Sequence, residues 1–106
     1  MERTRATDKL YARGIQARMH PAEDGQPAAP KEFDLYLDRS GEYRWFAEGE
    51  PTDAAGESLR TAVENARLRW KGFQVVELEG HAVTSETQHD IPERYAADDL
   101  EKVATG

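Results

Sequence analysis

Residues 33–48 constrain the fold more than any other stretch of this chain. Apolar and polar side chains alternate over residues 33–37 and again over residues 43–47, which is the period of a half-buried strand. Five residues separate these runs, and the first four of them, Asp-Arg-Ser-Gly, have the composition of a turn. The stretch therefore predicts a β-hairpin, whose apolar face requires a covering layer.

The length of the turn decides which side chains share a face, because a slip of one residue turns every side chain of a strand over. A three-residue loop ends at Gly41, which then takes the left-handed conformation of a bulge turn. That loop places two apolar pairs opposite each other: Leu35 with Trp45, and Leu37 with Tyr43. A four-residue loop would bury charge against leucine, so we expect the shorter loop.

In this register two aromatic residues, Tyr36 and Phe46, lie on the opposite face among charged neighbours. Aromatic residues and arginine ringed by charge are typical of the centre of a protein–protein interface. We therefore predict a partner-binding surface made up of Asp34, Tyr36, Asp38, Glu42, Arg44 and Phe46. The alternative is that the N-terminal strand or the C-terminal helix of the same chain covers the two rings.

One main helix is predicted within residues 54–70, after a break at residues 50–53. Its apolar residues have the spacing of one helical stripe: Leu59, Ala62, Val63, Ala66 and Trp70. Gly72 fits a left-handed C-cap, and the N-cap is Thr52, Asp53 or Ser58.

The remaining segments are less regular. Residues 8–20 alternate like a strand with Gly14 at a bulge or bend, although a helix over residues 7–13 also fits. Residues 21–32 form a loop or linker rich in proline and alanine, and residues 80–90 form a polar loop. Asp90 and Glu93 have the spacing of a capping box, which indicates a second helix.

A strand over residues 73–79 completes the predicted architecture, with Val76 and Leu78 on its buried face. The fold class is α+β: a small single domain over residues 1–106 with an antiparallel sheet of three to four strands. One main helix packs on one face in a ββαβ core, and a C-terminal helix is an optional addition. The predicted core consists of Phe33, Leu35, Leu37, Tyr43, Trp45, Leu59, Val63, Ala66, Trp70, Val76 and Leu78.

Charge limits the class of partner. The 106 residues carry 14 Lys and Arg against 21 Asp and Glu, a net charge of −7. A phosphate backbone repels such a chain, so we expect no direct binding of nucleic acid. The first 20 residues are more basic, and an alternative is that they act as an arm that binds nucleic acid or a membrane. A protein partner with a basic surface is favoured.

Residue types for catalysis are sparse. The chain has no cysteine, which excludes thiolate and disulfide chemistry and makes a reducing, cytoplasmic location the default. His81 and His89 lie in a polar stretch with Glu79, Glu86 and Asp90, but their spacing matches no metal signature. No enzyme, cofactor or metal site is therefore expected, and no apolar run is long enough for a membrane span.

These observations predict a small acidic interaction or regulatory protein, for example an inhibitor from a phage or mobile element that occupies a basic surface of its target. Two alternatives stay open. One is an accessory subunit or a homodimer built through the sheet face or edge. The other is a metal-assisted hydrolase that uses the region of His81 and His89.

One short segment resembles a known family. Residues 62–66, Ala-Val-Glu-Asn-Ala, are similar to the helix of HicB-type antitoxins, which follows a sheet in a ββα arrangement. The resemblance implies a helix packed on a preceding sheet. The Pro-Gly-Cys pattern that ends the HicB-type strand is missing here, so no functional residue is carried over.

Overall fold

Six strands and two helices make up the part of the chain that the computed structural model describes, residues 4–16 and 30–105. In chain order they are β1 (Ala12–Gln16), β2 (Lys31–Leu37), β3 (Tyr43–Ala47), β4 (Glu50–Gly56), α1 (Leu59–Arg69), β5 (Phe73–Leu78), β6 (His81–Ala82) and α2 (Ala96–Thr105). The strands form one antiparallel sheet in the order β4-β3-β2-β1-β5-β6. The protein is thus a small compact α+β domain with more strands than the predicted three to four.

The central hairpin of β2 and β3 has the predicted three-residue loop. Leu35 lies opposite Trp45, and Leu37 lies opposite Tyr43. Gly41 has a φ of 92°, in the left-handed region that glycine adopts at little cost. The apolar side of the hairpin therefore faces the core, as the alternation predicted.

The prediction of a break at residues 50–53 was wrong, because these residues belong to β4. A tight turn connects β3 to β4, and in it Glu48 and Gly49 have φ angles of 53° and 80°. Two successive positive φ angles are typical of a type I′ hairpin turn. The sequence did not predict this strand, because proline and aspartate, present here as Pro51 and Asp53, are rare inside sheets. Here they lie in an edge strand, where proline is tolerated.

Helix α1 begins at Leu59, within the predicted residues 54–70, and its N-cap is Ser58, one of the three predicted candidates. The Ser58 hydroxyl oxygen accepts a hydrogen bond from the Thr61 amide at 3.1 Å. Gly56 of β4 lets the helix approach the sheet closely, since a Cβ there would lie only 2.4 Å from the Ala62 nitrogen. The buried face of α1 is the predicted one: Leu59, Ala62, Val63 and Ala66.

The core lies between the sheet and the two helices. Its buried residues are Tyr11, Ala12, Phe33, Leu35, Leu37, Tyr43, Trp45, Ala54, Leu59, Ala62, Val63, Ala66, Phe73, Val75, Ile91 and Ala96. The predicted members Trp70 and Leu78 are only partly buried against it.

Strand β5 buries Val75, whereas Val76 was predicted. A bulge against β1 is the reason: Gly14 lies opposite Val75, but the preceding residue of β1 lies opposite Glu77. Val76 is therefore an extra residue that reverses the alternation, so Val75 and Leu78 both turn toward the helices. The sequence predicted a bulge or bend at Gly14; the irregularity lies beside Gly14, but the extra residue belongs to β5.

The ends of the chain differ from the predictions in detail. The predicted N-terminal strand is present as β1, while residues 17–20 of it and residues 21–29 of the predicted linker lie outside the described residues. Residues 7–10 form no helix, and the predicted polar loop 80–90 contains β6.

Helix α2 begins at Ala96 and not at the predicted capping box. The approach to α2 is tied to the start of α1 instead. The Leu59 amide donates to the Arg94 carbonyl at 3.0 Å, and the Ala96 amide donates to the Glu57 carbonyl at 2.7 Å. These backbone bonds hold the chain beside the start of α1, and residues 91–94 belong to no helix or strand.

The two helices cover one face of the sheet only. We call the opposite side the outer face. Strand alternation and register place these residues on it: Arg13 and Ile15 of β1, Glu32, Asp34 and Tyr36 of β2, Arg44 and Phe46 of β3, and Gln74 and Glu77 of β5.

The close approach of α1 to β4 gives a stability test. Gly56→Ala places a methyl group against helix backbone that has no room to move, and should lower the free energy of unfolding by about 2 kcal/mol or more. Gln74→Ala, at an exposed position of β5, is the control. Urea unfolding of both variants measures the difference, and equal stabilities would contradict the close packing described here.

Candidate interaction surface

Asp38 and Arg44, two of the residues predicted to bind a partner, form a buried ion pair at the hairpin end. Arg44 Nε lies 2.8 Å from Asp38 Oδ2, and the two side chains are 8% and 0% exposed. Asp38 Oδ1 accepts hydrogen bonds from the Ser40 amide at 3.0 Å, the Ser40 hydroxyl at 2.6 Å and the Glu42 amide at 3.0 Å. Asp38 therefore uses both of its oxygens within the chain.

The two aromatic residues predicted for the partner surface contact each other. The rings of Tyr36 and Phe46 meet edge to face with centroids 5.5 Å apart. Phe46 is only 4% exposed, whereas Tyr36 is partly exposed. The guanidinium of Arg5 lies 4.6 Å from the centre of the Tyr36 ring.

The N-terminal residues 4–6 bring Arg5 to this position. They run beside the hairpin, with the Ala6 amide donating to the Leu37 carbonyl at 2.7 Å and the Arg39 amide donating to the Thr4 carbonyl at 3.0 Å. The alternative prediction was that the chain itself covers the two rings. Arg5 covers part of the Tyr36 ring, so this alternative holds in part for Tyr36.

The six predicted partner-binding residues consequently divide into two groups. Asp38, Arg44 and Phe46 are buried, so they support the fold and are not open to a partner in this conformation. Asp34, Tyr36 and Glu42 are partly exposed. Only the second group is available for contact without rearrangement.

The strand order brings two further acidic residues, Glu32 and Glu77, close to the predicted Asp34 on the outer face. Arg13 Nε lies 3.2 Å from Asp34 Oδ1, Glu77 lies opposite Arg13 on β5, and Glu32 shares a face with Asp34. The hydrogen bond with Asp34, together with the charges of Asp34, Glu77 and Glu32, raises the pKa of Arg13. We call Glu32, Asp34 and Glu77 the acidic strip. Three carboxylates surround one arginine there, so the strip is negative.

Two depressions flank the turn between β3 and β4. The larger, of about 560 Å³, lies between residues 4–8 and residues 49–51, with Phe46 and Arg39 also lining it. The smaller, of about 290 Å³, is lined by residues 30–32 with Asp34, Glu48 and Gly49. The smaller depression includes two members of the acidic strip.

The edge of the sheet at β5 and β6 is closed to a further strand. β6 is only two residues long. Beside it, the side-chain amide of Gln88 pairs with the backbone of Val75: its oxygen accepts from the Val75 amide at 3.1 Å, and its nitrogen donates to the Val75 carbonyl. Gln88 thus takes the place of a strand there.

The other edge, β4, is protected by different means. Pro51 provides no amide donor, and the pairing with β3 is irregular between Arg44 and Phe46. Asn65 of α1 donates to the Ala55 carbonyl at 2.6 Å. Proline, bulges and side-chain caps are the means by which edge strands avoid pairing with another chain.

A buried polar cluster on the helix side anchors α2. Asp99, whose side chain is 7% exposed, accepts hydrogen bonds from the Tyr43 hydroxyl and, at 3.1 Å, from Arg94 Nε. Arg94 Nη1 in turn lies 2.8 Å from Glu79 Oε1. Burial first, and then the bond to Asp99, raises the pKa of Tyr43 well above its ordinary value near 10. No sequence pattern predicted this cluster, because Asp and Arg residues such as Asp99 and Arg94 are usually exposed surface charges.

The histidines considered for metal chemistry are both exposed, His81 in β6 and His89 in a turn. Among residues 4–16 and 30–105, no three His, Cys, Asp or Glu side chains come together as a metal ion would require. None of the helices in the described part of the chain has the length and apolar character needed to cross a membrane.

Comparison with known proteins gives no assignment. No protein-family model matches this chain, and no curated protein or solved structure matches it either. The likeness of residues 62–66 to HicB-type antitoxins is confined to part of α1 and supplies no site residue.

The different burial of the two aromatic residues gives a first test of this surface. Phe46→Ala should lower the free energy of unfolding by about 3 kcal/mol, because it removes a buried ring. Tyr36→Ala should cost less than about 1 kcal/mol, because its ring is partly in water. Thermal and urea unfolding measure both, and an equal cost would contradict the burial assigned to Phe46.

The raised pKa of Tyr43 predicts a loss of stability in alkali. The unfolded chain releases this phenolic proton near pH 10, while the folded protein retains it. The stabilisation is therefore complete below about pH 10 and is lost as the pH rises toward the folded pKa, by up to about 1.4 kcal/mol per pH unit.

Urea unfolding from about pH 9 to 11 tests this dependence. Tyr43→Phe should show a shallower loss of stability than the wild type, because the titrating group is gone. Tyr36→Phe, which removes a tyrosine hydroxyl on the outer face, is the matched control. A Tyr43→Phe variant with the wild-type slope would show that Tyr43 does not titrate in this way.

Proposed function

We propose that this protein is a non-enzymatic interaction protein whose outer face binds a basic surface of a protein partner. The observation that carries the proposal is the acidic strip, Glu32, Asp34 and Glu77, on a sheet face that neither helix covers. Partly exposed Tyr36 and Ile15 lie on the same face and offer apolar contact beside the charge. Such a mixture of aromatic and charged groups is common at protein interfaces.

The net charge of the chain supports the same class of partner. A charge of −7 on a small domain attracts a basic surface over a distance and raises the rate of encounter. The same charge opposes the binding of nucleic acid. An inhibitor that occupies the basic surface of a target, from a phage or mobile element, is the form of this function that we favour.

The alternative of a homodimer is less well supported than that of a different partner. Two copies joined through their outer faces would place one acidic strip against another, and like charges across an interface oppose association. Both edges of the sheet carry features that hinder strand pairing, namely Gln88 at β5 and Pro51 and Asn65 at β4. An accessory subunit that binds a basic neighbour through the same face is compatible with the proposal.

Quantitative capture of partners from a lysate, read by mass spectrometry, tests the proposed function. The variant Glu32→Lys/Glu77→Lys reverses the charge of the strip, and Glu64→Lys/Glu86→Lys makes the same change in net charge elsewhere on the exposed surface. Proteins captured by the wild type should fall about tenfold with the strip variant and be retained by the control.

Equal losses with both variants would show that net charge alone drives capture, and no loss with the strip variant would exclude the outer face. Mobility-shift assays with duplex and single-stranded DNA at about 150 mM salt should show no complex, because the acidic surface opposes phosphate. A tight, salt-sensitive shift would contradict a protein partner and direct attention to the basic N-terminal residues.

A further inference from the structure

The outer face already holds arginine side chains that belong to this chain. The guanidinium of Arg13 pairs with Asp34, with Nε to Oδ1 at 3.2 Å. The guanidinium of Arg5 lies over the Tyr36 ring at 4.6 Å from its centre. Asp34 and Tyr36 are two residues apart on β2 and share a face, with their Cα atoms about 7 Å apart along the strand. The two arginines therefore contact neighbouring positions of the outer face.

Arg5 is held in place by a short segment that is not part of the main sheet. Residues 4–6 are attached through the Ala6 amide to the Leu37 carbonyl and through the Arg39 amide to the Thr4 carbonyl, and Arg39 Nε lies 3.4 Å from the Arg5 carbonyl. Residues 7–10, which connect this segment to β1, belong to no strand or helix. The Arg5 side chain is itself 45% exposed. The Arg5 side chain can therefore leave the Tyr36 ring without breaking a hydrogen bond of the six-stranded sheet.

We propose that the outer face recognises arginine side chains of its partner, and that Arg5 occupies the Tyr36 ring until a partner arginine displaces it. This inference rests on the proposed function and names both the chemistry of the partner and a means of regulating access. The partner is a protein segment with exposed arginines, drawn to the face by the acidic strip. Residues 4–6 act as an internal competitor for one of its binding positions.

The two binding positions suit arginine better than lysine. A guanidinium is planar, stacks on an aromatic ring and offers several donors to a carboxylate, whereas an ammonium is a compact and more strongly hydrated charge. The Tyr36 ring provides the stacking surface, and Asp34 provides the carboxylate. Glu32 and Glu77 keep the surrounding potential negative, so the face can accept a second cation beside Arg13.

Titration calorimetry of the full chain with oligo-arginine and oligo-lysine peptides of equal length tests the inference. The wild type should bind oligo-arginine more tightly than oligo-lysine. Arg5→Ala should tighten the binding of oligo-arginine about two- to fivefold, because the peptide no longer competes with a cation on the ring. Arg69→Ala, at an exposed position of α1, makes the same change in net charge and should have a smaller effect.

Two substitutions at Tyr36 separate the role of the ring from a general change in charge. In the Tyr36→Leu background, Arg5→Ala should no longer tighten binding, because neither arginine has a ring to occupy. In the Tyr36→Phe background, which keeps the ring, the effect of Arg5→Ala should return. Thermal unfolding of each variant verifies that the fold is retained.

The outcomes distinguish this inference from the proposed function. Equal affinity for both peptides, or no gain in affinity with Arg5→Ala, overturns the recognition of arginine and the competing role of residues 4–6. If Glu32→Lys/Glu77→Lys still weakens the binding of both peptides in that case, the outer face stands as the binding surface. If that variant weakens the binding of neither peptide, the outer face is excluded as the binding surface and both proposals fail.

Discussion

The carboxylate of Asp38 holds the hairpin loop in the register on which both faces of the sheet depend. Its Oδ1 accepts from Ser40 and Glu42 inside the loop, and its Oδ2 accepts from Arg44 on β3. A loop one residue longer would turn the side chains of one strand over and bring charge into the core. The apolar contact with α1 and the acidic outer face are therefore two consequences of one local arrangement.

The elements that could be predicted from the sequence are those fixed by near neighbours along the chain. The hairpin and the buried stripe of α1 are of this kind. Strand β4 was not predicted because proline is tolerated mainly in edge strands, and the local sequence does not show that the strand of Pro51 lies at an edge. Which residues of β5 face the helices depends on the extra residue Val76. The late start of α2 depends on backbone hydrogen bonds to the beginning of α1.

The candidate site, like the fold, was predictable only where it depends on near neighbours along the chain. Alternation placed Tyr36 and Asp34 on the outer face, but buried Asp38 looked like a surface charge because most aspartates are exposed. The acidic strip joins β2 to β5 across β1, so its members become neighbours only through the strand order. Alternation continued back from Asp34 places Glu32 on the same face, but no local pattern relates Glu77 to them.

The central claim is that the outer face, and not the helix side, meets the partner. Titration of isotope-labelled protein with an oligo-arginine peptide, followed by NMR amide shifts, tests this most directly. The account predicts that the largest shifts occur in residues 4–6, in β1 and β2, and around Glu77. Shifts centred on the exposed side of α1, around Glu64 and Leu68, with the outer face unchanged, would contradict it.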